Sequence, residues 1–238
     1  PPHTAKEMYY FFSDLRAGGC KVVMHDGDAK PQTRYPQDIS AAVDLALCNH
    51  TAPRAEWKIP CLQWPYGAFT QRAIAAPVPE FRCDLLFAGR RDASGIYAER
   101  TALVQALKAR LGDRMLVLPD GHTPHTLFRT PDVAASARAV LGWARPEALG
   151  WTDVRVFQYP GAGGILLHNG AGRWLASGVS YIPFADPTVD SVLEALEYVF
   201  TLSDLETRRL RQDAFSHVQR EHSSVPRVQQ VLQYVGLT

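Results

Sequence analysis

The sequence has no uninterrupted apolar stretch near the roughly 20 residues that a membrane-spanning helix requires. The opening Pro1-Pro2-His3-Thr4 has none of the features of a secretory leader, so a cytoplasmic protein is expected. An excess of charge of one sign is also missing: 25 Lys and Arg stand against 24 Asp and Glu, a net charge of +1. That balance excludes a global electrostatic case for nucleic acid or an anionic membrane and leaves only local patches. Cysteine is scarce. Cys20, Cys48, Cys61 and Cys83 form no CxxC pair and stand in or beside apolar segments, which predicts reduced core thiols rather than a disulfide frame or a redox motif. Internal repeats and low-complexity tracts are absent as well.

What is present is enough apolar material, 46% of 238 residues, for one large α/β domain or two small lobes. Residues 8–15 carry aromatic and apolar side chains at helical spacing, Gly18-Gly19 stops that helix, and residues 21–24 begin a strand. A short helix over 38–42, a strand over 43–48 and an extended, proline-bounded segment over 59–65 complete a first lobe. Residues 75–80, with Pro77 and Pro79, have the composition of a linker and put a boundary near residue 80.

Beyond that boundary, strands alternate with helices. Buried strands are expected at 83–89, 115–118, 139–141, 165–167 and 179–182, and helices carrying the Leu103-Leu107-Leu111 stripe, at 132–137, at 154–159 and after Asp186-Pro187. Ser203 and Glu206 have capping-box spacing for another helix, and a last one is expected from about 225 to 235, with Pro226 in its first turn. This alternation predicts a mostly parallel sheet. The expected division is 1–80, 81–223 and a C-terminal helix over 224–238.

Residues 153–167, Asp-Val-Arg-Val-Phe-Gln-Tyr-Pro-Gly-Ala-Gly-Gly-Ile-Leu-Leu, read as a short helix, a glycine break and a buried strand. A helix end, flexible backbone and Arg155 beside a strand terminus favour an anionic ligand, and phosphate above all. Four pieces in order then carry a resemblance: residues 84–89, 137–141, Arg155-Val156-Phe157-Gln158 with Ala162-Gly163-Gly164, and Phe184-Ala185-Asp186-Pro187. Together they resemble the donor-binding domain of GT-B glycosyltransferases, most closely the CgeB-like group, over roughly residues 80 to 235.

The resemblance implies two Rossmann-like lobes, the first small or truncated, with a nucleotide-sugar donor between them as co-substrate. Its diphosphate would lie against the second lobe and a hydroxyl acceptor against the first. Gly89 would allow close backbone approach, Arg90, Arg91 and Arg155 would meet phosphate, and Gly163 and Gly164 would offer unobstructed N–H groups. Gln158 stands where the family usually has a Glu that binds the donor ribose, so an acceptor oxygen is kept and the charge is lost. Asp120 and His168 follow strands and would touch donor sugar or base, although Asp120-Gly121 and His168-Asn169-Gly170 also suit turns. The acceptor stays open among a saccharide, a metabolite, a protein and a hydroxylated nucleic-acid base.

Transfer to a hydroxyl requires a base, and His25 and Asp26 sit at a strand's C-terminal end where one is wanted. Asp26-Gly27-Asp28 equally suits a turn. It also resembles the Asp-x-Asp metal site of GT-A glycosyltransferases, which hold Mn²⁺ or Mg²⁺. The GT-B-like pattern from residue 84 onward argues for no required metal. His122 and His125 lack a third ligand nearby, and Trp57, Trp64 and Tyr66 offer acceptor stacking or plain core packing. Arg208, Arg209 and Arg211 share a helix with Glu206 and Asp213 and read as a solvated face.

Overall fold

A computed structural model describes residues 5–26, 42–48, 59–64, 67–68, 70–89, 91, 97–118, 129–143, 154–170, 174–175, 178 and 180–237. The chain divides into two compact units. The smaller comprises Pro1–Tyr66, Glu147–Thr152 and Arg227–Thr238, and the larger Gly67–Pro146 and Asp153–Pro226.

In the smaller unit, helix α1 (Ala5–Ala17) leads to strands β1 (Val23–Asp26), β2 (Leu45–Cys48) and β3 (Cys61–Gln63), all parallel and in that order. α1 ends because Gly19 takes φ +87°, a conformation only glycine adopts cheaply, and Cys20 N–H closes the turn on the Leu15 carbonyl. β2 is buried throughout, as a central parallel strand should be. Cys48 is buried, but Cys20 is exposed just past the helix stop, so it is not the core thiol expected. The expected helix over 38–42 lies almost wholly outside the described residues.

The larger unit holds β4 (Leu85–Ala88), α2 (Ala98–Leu111), β5 (Met115–Leu118), α3 (Thr130–Ser136), β6 (Ala139–Leu141) and α4 (Arg155–Gln158). β7 (Leu166–His168), β8 (Ile182–Pro183), α5 (Val189–Thr201) and α6 (Asp204–His222) follow. The sheet is wholly parallel, in the order β5-β4-β6-β7-β8. Because side chains alternate across a strand, Leu85 and Phe87 of β4 pack with α2 and α5 residues such as Leu107 and Leu196. Leu86 and Ala88 pack on the other face with Val133, Phe157 and Val218 of α3, α4 and α6. Both faces being covered explains why these strands read as unbroken apolar runs. The last helix, α7 (Ser224–Tyr234), crosses the division between the units at Pro226. Among the described residues no helix is long and apolar enough to cross a membrane.

Three local readings change. The proline segment 75–80 belongs to the larger unit, since the division falls at Tyr66 and Gly67. Val78 N–H donates to Ser136 Oγ at 2.7 Å and Pro79–Phe81 forms a 3-10 turn, which ties the segment to the end of α3. α5 is capped by Thr188, whose Oγ1 accepts from Ser191 N–H, so Asp186-Pro187 precedes the helix instead of opening it. The Ser203–Glu206 capping box forms as the spacing predicts, but Arg211 is not on a solvated face. Its side chain is half-buried, with Nε buried, and donates to the carbonyls of Ala134, Ala135, Ala137 and Gly163 at 2.7–3.3 Å. It thereby satisfies carbonyls at the C-terminal end of α3 that no helical N–H reaches.

Candidate functional site

From β4 the chain runs outward to the edge strand β5 and then returns to β6 on the other side of β4. At such a reversal the connections leave in opposite directions and a crevice opens beyond the C-terminal strand ends. Gly89 and Gly142 immediately follow β4 and β6. Arg155 opens α4 and donates its Nε–H to the Ala88 carbonyl at 2.8 Å. A Cβ at Gly89 would strike Nη2 of Arg155 and stand 3.0 Å from the Phe87 ring, so only glycine lets the guanidinium lie across the strand end. The Nε contact fixes the plane of the fork, whose geometry matches the oxygens of a phosphate.

His168, at the end of β7, is buried. Its Nδ1 accepts the Gly170 N–H at 2.8 Å, which gives a neutral ring with its proton on Nε2. A Cβ at Gly142 would come within 2.6 Å of His168 Cδ2 and 3.1 Å of Leu166 Cδ1, so the imidazole also depends on a glycine. Gly142 escaped the sequence reading. Its signal was the one that flagged Gly89, a glycine closing a short buried apolar run.

The glycine break works differently from the expectation. Gly163 takes φ +81° and donates its N–H to the Pro160 carbonyl, while Gly164 donates to Tyr159 at 2.8 Å. A Cβ on Gly163 would fall 2.6 Å from Ile74, and one on Gly164 3.0 Å from Ala134. Both N–H groups therefore close the turn after α4, and the missing side chains serve packing. Gln158 is half-buried at the end of α4, and Arg91 is exposed. Arg90 and Asp120, with Asp28, Trp57, Tyr66, His122 and His125, lie outside the described residues.

In the smaller unit, His25 and Asp26 close β1, with Asp26 in register with Cys48. The His25 ring packs edge-on against Trp64, centroids 5.4 Å apart, and Trp64 N–H donates to the Cys48 carbonyl at 2.8 Å. Among the described residues no three His, Cys, Asp or Glu side chains gather as a metal site.

A family model described as "Glycosyl transferase-like" matches residues 100–233, more than half of the chain. The chain belongs to this family. The match runs from α2 to α7 and so contains Arg155 and His168 of this glycosyl transferase-like chain. A search of the curated proteins finds no match.

Solved structures share its fold. HepE of Anabaena, in complex with UDP and glucose, is 14% identical over 99% of this chain and 76% of its own, with a TM-score of 0.61. A glycosyltransferase from Rickettsia africae is 8% identical over 98% of this chain and 82% of its own, TM-score 0.62. Sucrose-phosphate synthase of Thermosynechococcus elongatus is 12% identical over 90% and 67%, TM-score 0.57. The glycosyl transferase-like chain thus has the α/β, mostly parallel GT-B fold.

Proposed function

We propose that this chain moves a hexose from a nucleoside-diphosphate sugar to a hydroxyl acceptor. The observation that carries the reading is Arg155, laid over Gly89 at the reversal of a parallel sheet in a glycosyl transferase-like chain. The acceptor oxygen bonds to the anomeric carbon as the bond from that carbon to the diphosphate oxygen breaks. The nucleoside diphosphate departs with the electron pair, and Arg155 stabilises the negative charge that develops on it. The hydroxyl proton passes to Asp26 or His25 at the end of β1. His168 supplies a neutral Nε2–H donor toward the donor sugar, and Gln158 the acceptor oxygen for its ribose.

HepE in complex with UDP-glucose makes that compound the first donor to try. A second reading, a nucleotide-sugar binding module without turnover, is favoured by Gln158 in place of the family carboxylate. To separate the two, the chain is incubated with UDP-, GDP- and ADP-glucose and with saccharide, metabolite and hydroxylated-base acceptors, and nucleotide release and product mass are followed. Transfer that disappears in Arg155→Ala is the expected result. Tight donor binding without release across all acceptors would overturn the transferase reading, and unchanged donor binding by Arg155→Ala would overturn the phosphate placement.

A further inference from the structure

The opposite edge of the same sheet, where β4 and β6 begin, contains a cavity of about 1060 Å³ that lies wholly in the larger unit. One wall is apolar, with Ile74, Ala75 and Pro77. The other walls are Arg138, just before β6, and the first turns of α6, which carry Thr207, Arg208 and Arg211. Arg82 and Arg209 also line it. The lining carboxylates are Asp84, ion-paired with Arg114, and Asp204 in the first turn of α6, so the cavity is strongly basic in a nearly neutral chain. Cys83 adds no charge, because burial pushes its thiol up to about 11.

Beneath this lining, Arg138 Nε, Thr207 Oγ1 and Arg211 Nε are buried without a hydrogen-bond partner among the described residues. Burial, and then the charge of Arg138, hold the Arg211 guanidinium below its usual range, so two like charges face each other there. The N-terminal turn of a long helix adds positive potential of the same sign. Guanidinium groups and a helix start suit a tetrahedral oxyanion with more than one charge. The apolar wall suits an uncharged remainder.

We propose that this cavity binds a phosphorylated small molecule, with the phosphate on Arg138 and Arg208 and the organic part against Ile74 and Pro77. Its place at the strand starts separates it from Gly89 and Arg155 at the strand ends, so the ligand is an effector rather than the sugar donor. Arg211 contributes charge while it caps α3.

The test is titration calorimetry of the full chain with phenyl phosphate and with inorganic phosphate, together with phenylglyoxal labelling read by mass spectrometry. Phenyl phosphate is expected to bind about tenfold more tightly than inorganic phosphate and to slow labelling of Arg138 and Arg208. Arg208→Glu should raise the probe concentration that protects Arg138 by about tenfold or more, whereas Arg155→Ala leaves the protection of Arg138 unchanged. Equal binding of the two probes would confine the site to free phosphate and remove the organic wall from the proposal. Protection confined to Arg155, or no saturable protection at Arg138 and Arg208 up to about 10 mM probe, would overturn it. Since the readout is residue by residue, loss of the donor-site reading leaves this result standing.

Discussion

The two edges of the larger sheet use arginine in opposite ways. At the strand ends, Arg155 is half-buried and donates through Nε to the carbonyl of Ala88, the last residue of β4. At the strand starts, Arg211 is half-buried too, but its two Nη groups donate to four carbonyls, at Ala134, Ala135, Ala137 and Gly163. A guanidinium whose terminal nitrogens are committed to helix-end carbonyls belongs to the scaffold. One held by Nε across a glycine at a strand end lies where the proposed donor phosphate would bind.

The largest expected effect tests the first half of that contrast. Two charge-assisted hydrogen bonds to phosphate at about 1.5 kcal/mol or more each imply that Arg155→Ala weakens donor binding and kcat/KM by about a hundredfold or more. Arg155→Lys should recover little, since a point charge cannot reproduce the fork. Urea midpoints should barely move for either variant. If Arg155→Ala instead lowered stability as much as binding, the two edges would not differ in kind.

Much of this contrast could be read from the sequence, and the remainder had a physical reason for staying hidden. The buried runs at 85–88 and 139–141, the glycine after the first, and Arg155 at a helix start are local patterns, and they recur as β4, β6, Gly89 and α4. Contact between Arg155 and Ala88 joins positions far apart in the chain and depends on the parallel topology. Arg211 was misread because Arg208, Arg209, Glu206 and Asp213 around it look solvated. Yet 211, 214, 215 and 218 share a helical stripe, and Ala214, Phe215 and Val218 are buried. Gly163-Gly164 was located correctly, but its N–H groups are used by Tyr159 and Pro160 in the turn itself.

The scaffold half of the contrast is broken next. Arg211→Ala leaves carbonyls at the end of α3 and at Gly163 without partners, and one to two buried hydrogen bonds' worth of loss predicts about 2 kcal/mol of destabilisation by urea unfolding. Donor affinity per folded molecule should hold. A stable Arg211→Ala protein with impaired donor binding would reverse the assignment of the two arginines.

Gly89→Ala sharpens the same comparison by one methyl group. The new Cβ meets the end of the flexible Arg155 side chain and, at 3.0 Å, the packed Phe87 ring. The arginine gives way more easily, so donor binding should fall about tenfold and stability by about 1 kcal/mol. Gly142→Ala, pressed against buried His168 and Leu166, should shift that balance toward lost stability, read from the two urea midpoints.

The smallest effect is expected at Gln158, in the last turn of α4, the helix that Arg155 opens. Restoring a carboxylate with Gln158→Glu replaces a neutral acceptor by a charged one for the ribose hydroxyls, and such a hydrogen bond is stronger by about 1 kcal/mol, a severalfold gain in UDP-glucose affinity. Because the gain requires ribose hydroxyls, the 2′,3′-dideoxy form of the nucleotide should bind both proteins alike. Equal tightening for the dideoxy form would mean that the new charge acts through Arg155 rather than on the sugar, and the ribose would then have to lie elsewhere along the crevice.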